Sequence, residues 1–472
     1  MVDLPLDLVL SATGGRLSGG VGPAVLHGVS TDTRTLKRGA LFVALKGERF
    51  DGHDFVAAAL DKGAGAALVS REIEGAGPLI IVADSLIALG ALAAAHRAAL
   101  SPKVIAVTGS TGKTSTKEML VSILSQGWKT ARTPGNYNTE VGVPLALLDL
   151  DDSHQAAVIE LAMRGKGQID YLARMTCPQV AVITNVGLSH LELLGTRDAI
   201  AEAKAELLAV LPRGGAAVLN ADDDFFALLS QRSPGRVVSF GRLAVGRAGR
   251  RSPARRAAPD VTVHEVRVDP DGSTQFTLHA PWGEEQIALS VGGRHHALNA
   301  AAAAAAAVAA GADPAWIAPG LASFSGAEKR TRIVAAPSGF TVIDDSYNAA
   351  PDSMRAALEL LEDLPGKRKW AVLGDMKELG PMAPEWHREI GEQAAASGIA
   401  GLVALGELGH YIAEGARRDL GPDEVIEASG NAEAAAALLP RLQPGDVVLV
   451  KGSRAMGMEQ IVARLLERPA DG

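Results

Sequence analysis

The first residues with types and spacing suited to chemistry begin at Gly109. Gly109, Ser110, Thr111, Gly112, Lys113, Thr114 and Ser115 follow the apolar run Val104–Val107 and lead into a segment that reads as a helix. A glycine turn between strand and helix offers backbone N–H groups to an anion at the helix start. Lys113 adds a cation near the outer phosphates of a nucleoside triphosphate, and the Thr114 hydroxyl can meet Mg²⁺. The spacing is tighter than the general Gly-x-x-x-x-Gly-Lys-Ser/Thr pattern, because Val107 stands where the first glycine would be. Two more groups fall at predicted C-terminal strand ends, where open parallel sheets hold their ligands. Glu160 closes "AAVIE", and His190 follows "VAVITN" in "NVGLSHLE". Each reads as a metal ligand, the carboxylate being the more usual partner of Mg²⁺, or as a local hydrogen-bonding residue. Lys204 in "AEAKAELL" reads as a solvated helix lysine pairing with Glu202 or Glu206. A phosphate cradle implies a nucleotide but does not name a reaction.

These groups need elements to hold them, and the chain supplies βα alternation in three blocks. In the first, "GALFVALKG" and "AALVS" predict strands, "HDFVAAALDKGA" a helix, and Asp84 an N-cap for a helix reaching Leu100. "SPK" at Ser101–Lys103 predicts a linker. From Val104, "VIAVTG", "AAVIELA", "VAVITNVG" and "GAAVLNADD" are near-continuous apolar strands, the kind a parallel sheet buries on both faces. Arg236–Leu289, with "VTVHEVRV" and "TQFTLHA", predicts an antiparallel flank, and an alanine-rich buried helix is expected from Leu298. The third block, with "FTVIDDS", "KWAVLGD", "GLVALG" and "DVVLVKG", predicts a small Rossmann-like unit. The expected fold class is therefore α/β in three domains, 1–101, 102–325 and 326–472.

Composition agrees with that division. A length of 472 residues suggests about three domains. Fifty-two glycines with 4% aromatics point to tight turns and close helix packing. A net charge of −8 argues against nucleic-acid binding, so the Arg-rich stretch Arg242–Pro259 predicts a surface loop, not a basic arm. The single cysteine, Cys177, excludes an internal disulfide and suits a reducing cytosol. The N-terminus has no basic lead and does not read as a signal peptide. The alanine run is too short and too weakly apolar to span a membrane.

Motif order then carries a resemblance. "TGSTGKTSTKE", "TPGNYNTEVGVPLALL", "NVGLSHLELLGT", "AIAEAKAELL" and "LNADD" resemble the central domain of the Mur ligases of peptidoglycan synthesis. "IDDSYNAAPDSM", "VLGDMKELGPMAPEWH" and "VLVKGSRAMGME" resemble the branch of that family that adds D-alanyl-D-alanine. "VSTDTRTLKRGALFVALKGERFDGHDF" resembles the branch's uridine-nucleotide domain. The resemblance spans essentially the whole chain. It implies ATP-dependent joining of D-alanyl-D-alanine to UDP-N-acetylmuramoyl-tripeptide through an acyl phosphate, with two Mg²⁺ ions. It also implies a cytoplasmic monomer with no nucleic-acid partner and no membrane insertion. A ligase adding the third residue would be expected to carry Asp-Asn-Pro-Arg, and a G-protein switch Asn-Lys-x-Asp; neither occurs here.

The resemblance also implies roles. Lys113, with one Mg²⁺ held by Thr114 and Glu160, would serve the phosphates. A second Mg²⁺ near His190 would bridge γ-phosphate and acceptor carboxylate. Lys204 would be carbamylated by CO₂, turning a cation into an anion that orients the second site. Asn299 would contact adenine, Asp345 ribose, and either Arg330 or Arg332 phosphate. Ser30, Thr31, Asp32 and Arg34 would bind the uridine nucleotide; without the family they read equally as a turn with a capping aspartate. Asn136 and Asn138 would offer amide hydrogens to phosphate or substrate. Lys451, Ser453 and Arg454 form a glycine-flanked basic turn, structural or near the incoming dipeptide. His295 and His296 depart from the family's His-Asn spacing and take no role, and the Arg-rich insertion has no counterpart.

Overall fold

The structure is a computed structural model that describes residues 2–243, 258–327 and 329–467. Most of the Arg-rich stretch, residues 244–257, lies outside the described residues. Three parallel-rich sheets organise the chain. The central sheet has nine strands, in the spatial order Gly283–Leu289, Thr274–Ala280, Val261–Val268, Arg236–Arg242, Ala216–Asn220, Val180–Ile183, Lys103–Thr108, Ala156–Glu160 and Thr130–Arg132. Lys103, expected in the linker, already belongs to its strand. The antiparallel flank begins later than expected. Arg236–Arg242 runs parallel to both neighbours, and only the strands from Val261 onward pair antiparallel. The physical mark of the change is burial, since Val261–Val263 are buried and the rest of that strand meets solvent alternately.

The apolar alternation of the central strands fills two cores. Val104, Ala106, Ala157 and Ile159 face one side; Ile105, Val107, Val158 and Val180 face the other. On the first side the sheet shares its core with the helix Ser85–Ala99 from the preceding block, through Leu89, Leu92 and Ala93. Asp84 caps that helix, accepting from Leu86 N at 2.8 Å and Ile87 N at 3.0 Å.

On the second side lies the alanine helix. It spans His295–Ala309, three residues longer at its start than expected from Leu298. His296 N donates to Gly293 O (2.9 Å) and no side chain caps the turn, so the sequence carries no start signal there. Every residue from Asn299 to Ala307 is buried. Methyl side chains let this helix lie close to the sheet and to the helix Lys113–Leu124. Ala304→Leu should therefore overpack the interface and cost about 1–3 kcal/mol, seen as a lower urea midpoint.

The first sheet orders Arg16–Ser18, Leu79–Ile81, Ala66–Val69, Leu41–Val43 and Val29–Ser30. The third orders Arg332–Ala335, Thr341–Asp344, Val447–Lys451, Lys369–Gly374, Gly401–Leu405 and Val425–Ala428. Its edge strand Arg332–Ala335 is antiparallel, and neither that strand nor Val425–Ala428 was expected from the sequence. Both are short and partly exposed, so their apolar pattern is weak. Among the described residues, no helix is long and apolar enough to cross a membrane.

Candidate active site

The phosphate loop joins the central strand Lys103–Thr108 to the helix Lys113–Leu124. Gly109 (φ +151°) and Gly112 (φ +78°) both adopt backbone conformations that favour glycine. No side chain caps the helix, leaving its first-turn N–H groups available to an anion. The loop is braced on the next strand end by residues without an assigned role in the sequence reading. Thr111 N donates to Asn185 Oδ1 (2.9 Å), Thr184 Oγ1 to Thr111 O (2.6 Å), and Gly187 N to Ser110 Oγ (2.8 Å). A Cβ on Gly112 would stand 2.5 Å from Asn299 Oδ1. Gly112→Ala should thus strain the loop and displace Asn299, raising KM for ATP about tenfold or more in steady-state assays with little change in fold.

Lys113 Nζ donates to Gly109 O (2.7 Å) and Ser110 O (3.2 Å). Burial lowers its pKa, and Glu160 opposes that shift. Thr114 Oγ1 donates to Glu160 Oε2 at 2.9 Å, bringing together the two residues expected to share a cation. Asn138 Nδ2 donates to Glu160 Oε1 (2.8 Å), so Asn138 orients a carboxylate where a phosphate or substrate contact was expected. Asn136 stays exposed in the same loop. Lys117, also without an expected role, is fully buried, donates to Thr133 O (2.9 Å) and lies 3.6 Å from Glu160. Its signal was its place one turn after Lys113, on the face that meets Glu160.

A cavity of about 400 Å³ opens between the central and third sheets. Ser110 to Ser115, Asn299, Arg330, Asp345 and Lys451 line it. Arg330 stacks on the Tyr347 ring at 4.2 Å, whereas Arg332 is exposed on its strand, which separates the two arginines. Lys451 is buried, pairs with Asp345 and donates to Asn348 O (3.0 Å). Ser453 accepts from Lys377 N (2.9 Å), and Arg454 pairs with Glu459 (2.8 Å). His295 and His296, set aside on sequence, form the first turn of the alanine helix with ring centroids 4.1 Å apart. His295 lines the cavity, and burial lowers its pKa to about 4, so it is neutral near pH 7.

Two residues expected near the chemistry do not touch this cavity. His190 sits in left-handed backbone (φ +67°) with Nδ1 2.5 Å from Glu378 Oε2 of the third block. Lys204 lies on the helix Arg197–Ala209 and is 1% exposed, which overturns its reading as a solvated lysine. Its supposed partners are engaged elsewhere. Glu202 pairs with Arg232 (2.7 Å), and Glu206 accepts from Gly167 N (2.7 Å) and Asp170 N (3.1 Å). Burial first, then the nearby Lys113 cation, push the Lys204 pKa well below the lysine range.

Ser30, Thr31, Asp32 and Arg34 stand on the edge of the first sheet, apart from the cavity. They form the capped turn that was the plain reading of this motif. Asp32 accepts from Arg34 N (2.8 Å) and from its guanidinium (2.6 Å), which lowers the Asp32 pKa to about 2. Among the described residues, no three His, Cys, Asp or Glu side chains converge on one point suited to a metal.

Three family models match the sequence. The Mur ligase middle domain covers residues 107–307, the Mur ligase glutamate ligase domain 329–454, and the Mur ligase family catalytic domain 25–120. Relatives named UDP-N-acetylmuramoyl-tripeptide–D-alanyl-D-alanine ligase include that of Escherichia coli (strain K12), 38% identical over 99% of both chains. That of Bacillus subtilis (strain 168) is 37% identical over 94% of each. Among solved structures, MurF from Acinetobacter baumannii matches with TM-score 0.89 at 36% identity, over 99% of this chain and 100% of that one. MurF ligase from Thermotoga maritima, in complex with ADP, matches with TM-score 0.80 at 30% identity, over 93% and 97%.

Proposed function

The chain belongs to the Mur ligase family, and from that premise we propose that it joins D-alanyl-D-alanine to UDP-N-acetylmuramoyl-tripeptide using ATP. The observation that carries this reading is the cavity where the phosphate loop meets Arg330, Asp345 and Lys451 across a domain boundary. We assign residues 1–101 to the uridine nucleotide, 102–325 to ATP, and 326–472 to a Rossmann-like domain that completes the nucleotide site. One parallel-rich sheet falls in each segment.

Amide formation from a carboxylate needs a better leaving group than oxide. The tripeptide carboxylate attacks the γ-phosphorus and ADP leaves; the dipeptide amine then attacks the acyl carbon, loses a proton and expels phosphate. Two anions must meet in the first step, so positive charge at the phosphate loop has to offset their repulsion. Lys113 supplies a cation there, and Arg330, lying over the Tyr347 ring, supplies a second. Asn299 beside Gly112 orients the adenine end, and Asp345, held by Lys451, orients the ribose.

Thr114 and Glu160, two oxygen donors 2.9 Å apart, suit Mg²⁺, which takes one or two protein ligands and completes its shell with phosphates and water. When bound, Mg²⁺ would neutralise phosphate charge and polarise the transferring group. His190 and a carbamylated Lys204 would orient the second ion. Lys204 fits that role because its burial favours the neutral amine, the form that adds CO₂. Ser30, Thr31, Asp32 and Arg34 would hold the uridine nucleotide on the first domain, with Asn136 near the substrate. The protein is read as a cytoplasmic monomer.

The test is ADP release measured with each substrate withheld in turn. The proposed ligase requires both UDP-tripeptide and D-alanyl-D-alanine, and parallel runs with lysine and diaminopimelate tripeptides identify the third residue. ATP turnover indifferent to the dipeptide would overturn the reading.

A further inference from the structure

The third domain meets the central domain at a second place, the loop that carries His190, which touches the phosphate loop where Ser189 Oγ donates to Ser110 O (3.3 Å). Glu378 stands in the loop after the strand Lys369–Gly374, in left-handed backbone (φ +65°), and its Oε2 lies 2.5 Å from His190 Nδ1. The contact is not an isolated pair of surface groups. Glu192 N donates to Glu378 O (3.1 Å), locking the two loops main chain to main chain. Leu188 is buried in the third domain's own core with Met376 and Leu379, and Leu191 packs against it. The His190 loop is covalently part of the central domain and packs on both cores: Val186 and Leu194 on the central one, Leu188 on the third, and Leu191 on both.

Histidines that bind metal commonly donate their other ring N–H to a carboxylate, which selects the tautomer and holds the ring. A carboxylate 2.5 Å from Nδ1 favours the proton on that nitrogen and so leaves the lone pair on Nε2, although the contact is not aligned as a hydrogen bond in this structure. We propose that Glu378 is a positioning residue delivered across the domain interface: it orients His190 so that Nε2 can serve the nucleotide's phosphates or their accompanying cation. Docking of the third domain then completes the second cation site as well as the nucleotide cavity. This inference rests on the ligase reading for the identity of the cation.

The test is Mn²⁺ titration by electron paramagnetic resonance in the presence of ADP, on wild type, Glu378→Ala, Glu378→Gln, His190→Ala and the Glu378→Ala/His190→Ala double variant. Glu378→Ala should weaken one Mn²⁺ site about tenfold. Glu378→Gln, which keeps an acceptor without the charge, should weaken it about threefold, and carries the test should the alanine variant fail to fold. In the His190→Ala background the Glu378 change should add less than about twofold, because the two act as one unit. Mn²⁺ affinity within twofold of wild type in folded Glu378 variants, or losses that multiply in the double variant, would overturn the proposal. Wild type that binds Mn²⁺ with ADP but makes no pentapeptide would instead sink the proposed reaction, leaving the Glu378 assignment to the same titration.

Discussion

Lys204→Ala is expected to lose nearly all ligation, about 10²–10³-fold in kcat, while remaining folded. The lysine is buried on the helix Arg197–Ala209, with the Asp223 carboxylate acting on it. Burial and Lys113 favour its neutral amine, and Asp223 opposes them. Addition of CO₂ would turn that amine into a carbamate whose negative charge complements Lys113 and a nearby cation. The group would exist in equilibrium with dissolved CO₂, so wild-type activity should fall in CO₂-depleted buffer, and more steeply as pH drops and the amine protonates. Acetate or formate should partly restore Lys204→Ala by placing an anion in the vacated space. Lys204→Arg should not recover, because it keeps a permanent cation there.

Stability should move differently from activity. The folded pKa is depressed, so between it and the unfolded value near 10.4 the unfolded chain binds a proton that the folded chain does not. At neutral pH the unmodified amine therefore opposes folding, and Lys204→Met should melt no lower than CO₂-depleted wild type. Wild-type turnover in Lys204→Ala would end the carbamate reading.

Lys113→Ala should lower ATP turnover about 10²–10³-fold and leave UDP-tripeptide affinity within about twofold. Lys113 Nζ sits on the carbonyls of Gly109 and Ser110, where the loop turns into its helix. The Asp32–Arg34 turn belongs to the first sheet, which shares no strand with the central one. Calorimetry with each ligand separates the two sites. Loss of both affinities in a folded variant would count against placing the uridine nucleotide on residues 1–101.

Legibility of the fold followed the range of the signal. The phosphate loop, the Asp84 cap and the apolar strands around Val104, Ala157 and Val180 were readable, because each depends on neighbours a few residues away. The start of the alanine helix was not, since His295 and His296 offer no capping side chain and the turn is closed by backbone alone. The parallel pairing of Arg236–Arg242 was missed for a related reason. Direction is set by which strand lies alongside, and strand composition carries little of that information.

The site divides in the same way. Gly109–Thr114 and Glu160 could be named from residue type and spacing because strand and helix periodicity places them at one end of a parallel sheet. The burial of Lys204 could not be read, because "AEAKAELL" has the look of a solvated face. Its burial comes from the packing of its helix against the helix Gln168–Thr176 and the central strands, which the fold brings together. Arg330 and Arg332, two residues apart, differ only in which one turns toward Tyr347. His190 met its carboxylate from a domain whose chain begins over a hundred residues later. Local chemistry was written in the order of residues; burial and cross-domain contacts were set by packing, since they sum over neighbours that chain order does not place together.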